Sequence, residues 1–363
     1  MKSGASLPYN ADMSHVELLL PFSIPPAALG QDLMRQLEAP YLAQLLRRTR
    51  SAVRQNFEAF SQHLPHEIYL TGQISLAKHK NSAETATPFK QQFDRIGTHN
   101  QMQKYGLMPT SGFWFTLYPV HFHVANDHLV LIDQRRTDIS PNESLSLFET
   151  AAALCQEAGK TLVFGDAKTW FLRADDWASM ETVSKDMACG RNIDIWMAKG
   201  APASAWRRLQ NEIQMAWFAH KVNQEREEAG QITVNSVWLE AGSGELKPCP
   251  DWTFVETDTT LFAQHQAGAN AKQDSKAPMQ LFCDALIEPS INSDWGQWLE
   301  RLQGLDQTVF KELHGAAQDG LVTSFQLTAS DATQIACFAA DLLHRWKFWR
   351  KPDITPLFSL VTP

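Results

Sequence analysis

The sequence predicts an α/β protein in which a compact α+β domain interrupts an α/β core. Its 363 residues exceed what one ordinary hydrophobic core accommodates. An apolar run over 16–20 is followed by helical patterns, the order in which an open α/β sheet begins. The middle of the chain alternates short strands with few helices, whereas the two ends resemble each other. We therefore place a split core at 1–108 and 246–363 and an inserted domain at 109–245.

The first core segment predicts one strand and two helices. The run 16–20 is apolar except for Glu17 and stops at Pro21, which is typical of a buried parallel strand. A helix follows over 27–38. Pro40 begins a second helix, over 41–48, because its fixed φ suits a first helical turn. Polar residues dominate 79–104, which predicts a surface loop.

The predicted insert begins with strands over 113–118 and 120–124. Asn126-Asp127 is a turn signal, and a returning strand covers 129–132. A helix begins at Pro141 and ends at Gly159. Two further strands are expected, over 161–164 and 170–173.

The stretch 203–244 organises the insert. Spacings of three and four predict one apolar helical face, formed by Trp206, Leu209, Ile213 and Trp217. This helix is expected to end at Gly230, where a glycine can adopt the left-handed cap conformation. From 232 to 239 the period changes to two, which predicts a strand that stops at Gly242.

The last segment returns to the core pattern. We predict a polar loop over 264–278, a strand over 280–286, a helix over 295–313 and a strand over 325–327. A closing helix is expected over 335–349, because one stripe contains Phe338, Leu342, Trp346 and Trp349.

Composition limits the function. The net charge of −8 and the pI of about 5.8 argue against nucleic acid as a partner. Five dispersed cysteines without a C-x-x-C pair predict free thiols in a reducing compartment. No signal peptide or membrane-spanning run is apparent, so we expect a cytoplasmic protein without a membrane partner.

Amide and guanidinium side chains interrupt the organising stretch where packing does not require them. Amides both donate and accept hydrogen bonds, and a guanidinium forks onto carboxylate or phosphate. They therefore suggest a site for a small anion, formed by Asn211, Asn223, Arg226 and Asn235. We favour the other interpretation, in which Asn211 and Asn235 bond to neighbouring main chain and Arg226 is a solvated helix residue.

Arginines also stand at the ends of predicted elements of the insert. Together they could converge on a phosphate or carboxylate, and the set comprises Arg135, Arg136, Arg173 and Arg191. The alternative is that each forms an ordinary surface ion pair.

His121 and His123 share one face of a predicted strand, so a metal site is conceivable. We favour ordinary packed or surface histidines, because H-x-H alone is a weak signal. No nucleophile elbow, phosphate loop, H-E-x-x-H or dinucleotide motif is present. The sequence therefore predicts no catalytic residue, no metal ligand and no cofactor.

Several motifs, in order, resemble the bacterial RpfE-type regulatory proteins, which are similar to archaeal-type cofactor-independent phosphoglycerate mutases. These motifs are PVHF at 119–122, TWFLR at 169–173, GRNID at 190–194, NEIQM at 211–215, N-x-x-R at 223–226 and VNSVWL at 234–239. The resemblance implies an alkaline-phosphatase-like core that is discontinuous in sequence. It also implies ligand-binding roles for His121, Arg135, Arg136, Arg191, Asn211, Asn223, Arg226 and Asn235.

The mutases hold two divalent metals and use a serine that accepts the phosphoryl group, and this sequence departs from that pattern. The first strand runs into Pro21-Phe22-Ser23 without a metal-binding aspartate, and the segment 39–43 lacks the expected carboxylate. No Gly-Ser-Asp segment occurs between Arg54 and Leu107. Glu288 stands where the histidine of an Asp-x-x-x-His motif is expected, and 330–333 reads Ser-Asp-Ala-Thr instead of Asp-His-Ser-Thr.

The resemblance and its departures favour a phosphoglycerate-mutase-like protein that lacks metal-dependent phosphoryl transfer and acts in regulation or ligand sensing. Its expected partners are a small phosphorylated or carboxylated molecule and a protein. Two alternatives stay open. One is an active phosphoglycerate mutase or phosphatase with a rearranged site, using His121 and His123. The other is a structural protein-interaction module.

Overall fold

The computed structural model describes residues 15–49, 52–58, 61, 63–70, 97–108, 111–245, 252–255, 279–342 and 351–358. These residues form two compact units. Unit 1 contains the described residues of 1–57 and 251–363, and unit 2 contains those of 58–250. The domain boundaries near 109 and 245 stay a prediction.

The strands, in chain order, are β1 (His15–Leu20), β2 (Val53–Asn56), β3 (Trp114–Val120), β4 (Phe122–Val124), β5 (Leu129–Leu131), β6 (Thr161–Phe164), β7 (Trp170–Arg173), β8 (Ser236–Ser243), β9 (Thr253–Phe254), β10 (Met279–Phe282), β11 (Ser324–Ser330) and β12 (Gln334–Asp341). The α-helices are α1 (Ala27–Gln36), α2 (Pro40–Leu46), α3 (Pro65–Leu70), α4 (Thr98–Lys104), α5 (Pro141–Glu157), α6 (Lys185–Ala188), α7 (Ala203–Phe218), α8 (Lys221–Glu228), α9 (Ile287–Ile291), α10 (Trp295–Leu305), α11 (Lys311–Gln318) and α12 (Thr355–Phe358). A π-helical turn, Asp306–Phe310, joins α10 to α11.

A six-stranded mixed sheet forms the centre of unit 1, with the order β2-β12-β11-β1-β10-β9. β1 runs parallel to both of its neighbours, β10 and β11, whereas β12 is antiparallel to β11 and β2. Residues 16–20 are buried on both faces of the sheet, as a central parallel strand requires. The predicted α/β class is confirmed.

A polar row crosses the three parallel strands of this sheet. Glu17 on β1 lies opposite Gln280 on one side and Gln326 on the other. Gln280 Nε2 donates to Glu17 Oε2 at 3.0 Å, and Gln326 Nε2 donates to Glu17 Oε1 at 3.1 Å. Two amides from neighbouring strands thereby satisfy a buried carboxylate.

Unit 2 is built on an antiparallel sheet with the order β6-β7-β3-β8. Buried tryptophans join this sheet to α7, because Trp170 and Trp217 meet edge to face with ring centroids 5.9 Å apart. Trp217 Nε1 also donates to Leu147 O of α5 at 3.2 Å. β4 and β5 form a separate two-stranded hairpin, as predicted.

The predicted closing helix over 335–349 is wrong where the structure describes it, because Gln334–Asp341 is a strand. Five consecutive residues, 334–338, are buried, so both faces of this part of β12 are covered. The strand therefore shows no alternation, and its apolar residues fit a helical stripe by coincidence. Residues 343–349 of the predicted helix lie outside the described residues.

The organising stretch also differs from its prediction. One long helix becomes α7 and α8, because His220 interrupts it and its Nδ1 accepts the Val222 N–H at 3.2 Å. Gly230 follows with a φ of 68°, in the left-handed region that was expected there. β8 begins at Ser236 rather than at residue 232.

Smaller differences affect element lengths. Residues 98–104, predicted as loop, form α4, and the loop predicted over 264–278 lies outside the described residues, as do 79–96. The strand predicted over 280–286 covers Met279–Phe282, and the helix predicted over 295–313 continues to Gln318 through the π-helical turn. Among the described residues, no helix has the length and apolar character needed to cross a membrane.

Candidate functional site

The carboxyl ends of β1, β10 and β11 lie at one edge of the unit 1 sheet. This edge is where open α/β sheets bind ligands. Ile24 N donates to Ser330 O at 3.3 Å, and Cys283 N donates to Leu19 O at 3.0 Å, so the three chain segments adjoin one another. They are the segments in which the sequence departs from the mutase metal motifs.

A strained turn follows β1 at this edge. Phe22 has a φ of 55°, in the left-handed region that non-glycine residues rarely adopt. Its carbonyl oxygen accepts from Trp298 Nε1 at 2.9 Å and from Ser290 Oγ at 3.3 Å. Such a conformation costs about 1–3 kcal/mol and persists where surrounding contacts fix it.

The carboxylate that ends β11 closes a turn. Asp331 Oδ1 accepts from Thr333 N at 2.6 Å, from Thr333 Oγ1 at 3.1 Å and from Gln334 N at 2.9 Å. Its Oδ2 accepts from Gln334 Nε2 at 2.7 Å. Both oxygens of Asp331 therefore serve the turn between β11 and β12.

The neighbouring groups also fit poorly as ligands of a metal pair. Glu288 forms an ion pair with Arg301, and burial raises the pKa of the Cys283 thiol to about 12, so this cysteine stays protonated. Two hard cations require several anionic or imidazole ligands together. Within the described ranges, no group of three or more His, Cys, Asp or Glu side chains is placed to hold a metal ion. The residues at this edge do not fit the mutases' metal pair.

In unit 2, three predicted ligand residues bond to one main-chain segment, Ile232 to Asn235, and a fourth, Asn235, belongs to that segment. Asn223 Nδ2 donates to Val234 O at 2.7 Å and to Trp217 O at 3.0 Å, while its Oδ1 accepts from Val234 N at 2.8 Å. Asn235 Oδ1 and Nδ2 bond to Phe122 N and O at 2.7 and 3.0 Å. We call residues 232–235 the braced segment.

Arg226 and His121 complete the bracing. Arg226 is 2% exposed, and its Nε donates to Ile232 O at 2.8 Å. Its Nη1 donates to Asp138 O and Glu143 Oε1, both at 2.9 Å. His121 Nδ1 lies 2.9 Å from Thr233 O. These contacts explain why β8 begins late, since side chains and not a neighbouring strand satisfy much of the main chain of 232–235.

Arg135 belongs to a partly buried charge cluster. Its guanidinium bonds to Asp133 Oδ1 at 2.8 Å and to Asp186 Oδ1 at 2.8 Å, and Lys185 Nζ lies 3.2 Å from the same Asp186 oxygen. Burial acts to lower the pKa of Arg135, but the carboxylates of Asp186 and Asp133 outweigh it and raise that pKa. The guanidinium stays charged and held.

The remaining predicted residues are exposed. Arg191 stacks on Trp196, with its Cζ atom 5.7 Å from the ring centroid, and its Nη1 lies 3.5 Å from Met187 Sδ. Arg136 follows Arg135 in a short 3-10 turn, and Asn211 lies on α7. Among the described contacts, no hydrogen bond joins Asn211 to the other seven residues.

Glu240 is a buried acid of β8 in unit 2 that was not predicted as a site residue from the sequence. Its Oε2 accepts from Lys185 N at 2.7 Å, and its Oε1 accepts from Tyr118 OH at 3.3 Å. The signal was available, because Glu240 is the charged residue in an otherwise uncharged strand, SVWLEAGS. A buried acid in such a strand indicates a specific partner.

Together, the fold and these contacts define a two-unit α/β protein in which carboxylates at the sheet edge serve structural roles. No protein-family model matches the sequence, and none of the curated proteins is significantly similar to it. Solved structures do overlap with the chain. A cofactor-independent phosphoglycerate mutase from Thermoplasma acidophilum DSM 1728 matches at 10% identity and a TM-score of 0.39, over 96% of this chain and 95% of that one.

A second overlap is with the PH0037 protein from Pyrococcus horikoshii. The two chains are 10% identical and overlap with a TM-score of 0.46, over 91% of this chain and 88% of the PH0037 chain. Overlaps with such low identity and TM-scores assign no role to any residue of this chain.

Proposed function

We propose that this protein is a phosphoglycerate-mutase-like binding protein that lacks metal-dependent phosphoryl transfer and acts in regulation or ligand sensing. The observation that carries the proposal is Asp331, whose two oxygens accept four hydrogen bonds within its own turn. A metal at this carboxylate would have to displace bonds that close the link between β11 and β12. The thiol of Cys283 is no substitute ligand, because hard divalent cations prefer carboxylate and carbonyl oxygens.

The proposed ligand is a small phosphorylated or carboxylated acid, and Arg191 is the best placed of the predicted residues to contact it. Its guanidinium is exposed, and its Cζ atom lies 5.7 Å from the centroid of the Trp196 ring. Arg136, also exposed, is the second candidate. By contrast, the donors of Asn223, Arg226 and Asn235 bond to main-chain oxygens and to Glu143, so these residues would contribute to binding by holding the fold.

Turnover is the first test of the proposal. The protein is incubated with Mn²⁺ and 3-phosphoglycerate, and 2-phosphoglycerate is quantified over hours. We expect no product above a protein-free control. Turnover within the ordinary enzyme range, about 1 to 1000 per second, would reject the proposal and favour an active mutase or phosphatase.

Binding is the second test. A thermal-shift screen of phosphorylated and carboxylated acids is expected to raise the melting temperature, because a ligand at 100 times its Kd stabilises the native state by about 2.7 kcal/mol. Arg191→Met keeps the contact with Trp196 but removes the charge, so the shift should disappear. Arg207→Met, at an exposed position on α7, is the matched control.

A lack of any shift across the screen would leave the structural protein-interaction module as the better description. We further propose a cytoplasmic location, since the described cysteines Cys155, Cys189, Cys283 and Cys337 are buried free thiols. A protein partner is part of the same proposal, which includes neither a nucleic acid, a membrane nor a cofactor.

A further inference from the structure

His121 and His123 present their imidazoles side by side where β3 gives way to β4. The two residues are separated by one position in extended chain, so both side chains project to the same side. Their ring centroids lie 6.4 Å apart, and the ring planes differ by 31°. His123 is exposed, and His121 is half-buried.

The tautomer of His121 is fixed by its environment. Its Nδ1 lies 2.9 Å from the main-chain oxygen of Thr233, which can only accept, and 3.2 Å from Thr233 Oγ1, which can accept as well as donate. Nδ1 must therefore carry the hydrogen, and the lone pair lies on Nε2. An imidazole that donates its other N–H to a main-chain carbonyl is the usual arrangement of a metal-binding histidine.

The separation of the rings suits one shared ion after a small movement. With metal–nitrogen bonds of about 2.0–2.1 Å, two imidazoles at a tetrahedral angle have centroids roughly 5 Å apart. The observed 6.4 Å therefore requires the exposed His123 ring to approach by about 1 Å. Rotation about its side-chain bonds supplies this movement, since no described contact holds the ring.

We propose that His121 and His123 bind one borderline divalent cation, of the class Cu²⁺, Ni²⁺ and Zn²⁺, at the junction of β3 and β4. Two imidazole ligands select these ions over Mg²⁺ and Ca²⁺, which prefer oxygen. The remaining coordination positions are open to water. The site belongs to unit 2 and is independent of the proposed function.

Because Cu²⁺ binds most tightly in the series of divalent ions, it is the probe. The full-length protein is titrated with Cu²⁺ at pH 7.5 by calorimetry, and the complex is examined by electron paramagnetic resonance. We expect one site with nitrogen hyperfine structure from two imidazoles. His123→Ala should weaken binding at least tenfold without changing the melting temperature, because its ring makes no described hydrogen bond.

His121→Gln should weaken Cu²⁺ binding similarly. His128→Ala is the matched control, since this histidine lies in the same hairpin but pairs with Asp127 at 2.6 Å. If His123→Ala binds Cu²⁺ as tightly as the wild type does, or if no site tighter than about 100 μM is found, the proposal is overturned.

Discussion

Arg226 Nη1 donates to Glu143 Oε1 at 2.9 Å and so joins α8 to the first turn of α5. Glu143 also closes the capping box of α5, because its Oε2 accepts from Ser140 N at 2.8 Å. Burial acts to raise the pKa of Glu143, but hydrogen bonds from Ser140 and Arg226 outweigh it and lower that pKa. The Glu143 carboxylate thus connects α5 to Arg226 of α8, and Arg226 in turn bonds to the braced segment.

We expect Arg226→Met to lower the free energy of unfolding by about 3 kcal/mol, since breaking a buried ion pair costs that much. Urea denaturation followed by tryptophan fluorescence measures the loss. Arg207→Met, at an exposed position, should change stability by less than about 0.5 kcal/mol. Equal effects of the two substitutions would contradict the role of Arg226 in the brace.

Asn223→Ala should destabilise the braced segment, residues 232–235. The substitution leaves Val234 N and Val234 O without their side-chain partner, at about 1–3 kcal/mol for each buried group left unsatisfied. Trp217 O keeps the hydrogen bond from His220 N at 3.1 Å. Hydrogen exchange at the Val234 amide should accelerate strongly. Gln224→Ala, next to it but exposed, should leave that exchange rate unchanged; acceleration by both would point to general loosening of α8.

These residues show how far sequence reasoning reaches. The sequence identified Asn223, Arg226 and Asn235 as residues with a specific role, because each is a polar side chain at a position where packing does not require one. Their partners could not be deduced, since an amide bonds equally well to a ligand or to main chain. The partner depends on where Phe122 and Asp138, distant in sequence, are brought by the fold.

The acid sensitivity of the charge cluster gives a third prediction. Burial acts to raise the pKa of Asp186, but Lys185 and Arg135 outweigh it and hold that pKa well below its usual range. A depressed carboxylate contributes stability above its unfolded pKa of about 3.9 and loses it as the pH falls further. Wild type should therefore lose about 2–3 kcal/mol more than Asp186→Asn between pH 4 and pH 2. Parallel stability curves for the two proteins would exclude this contribution.

Asp306 should behave in the opposite sense. Its oxygens accept from Leu42 N at 2.7 Å and Tyr41 N at 3.3 Å, but burial prevails and raises its pKa. A raised pKa contributes stability at low pH that is lost as the pH rises through the folded value. The stability of Asp306→Asn relative to wild type should increase between pH 4 and pH 7. Urea denaturation at both values checks the sign, and a decrease would refute it.

Some strands were predicted correctly from the sequence and others were not, and the difference has a physical reason. β6 and β7 were predicted to the residue, because each contains a short apolar run and Gly165-Asp166 marks the turn between them. β12 was mistaken for a helix, since burial on both faces removes the alternation that identifies a strand. The sheet edge of unit 1 could be compared with mutase motifs from sequence, but the use of Asp331 within its own turn is a property of geometry alone.

The row formed by Glu17, Gln280 and Gln326 has a consequence for how the chain finds its alignment. A shift of β10 or β11 by one residue would put Leu281 or Phe325 beside the Glu17 carboxylate and remove one of its amide donors. The three strands come from opposite ends of the chain, so neither local turns nor short connections set their pairing. Gln280 and Gln326 therefore favour the observed register of the three strands over shifted registers. Strands of apolar residues alone could not select the register in this way.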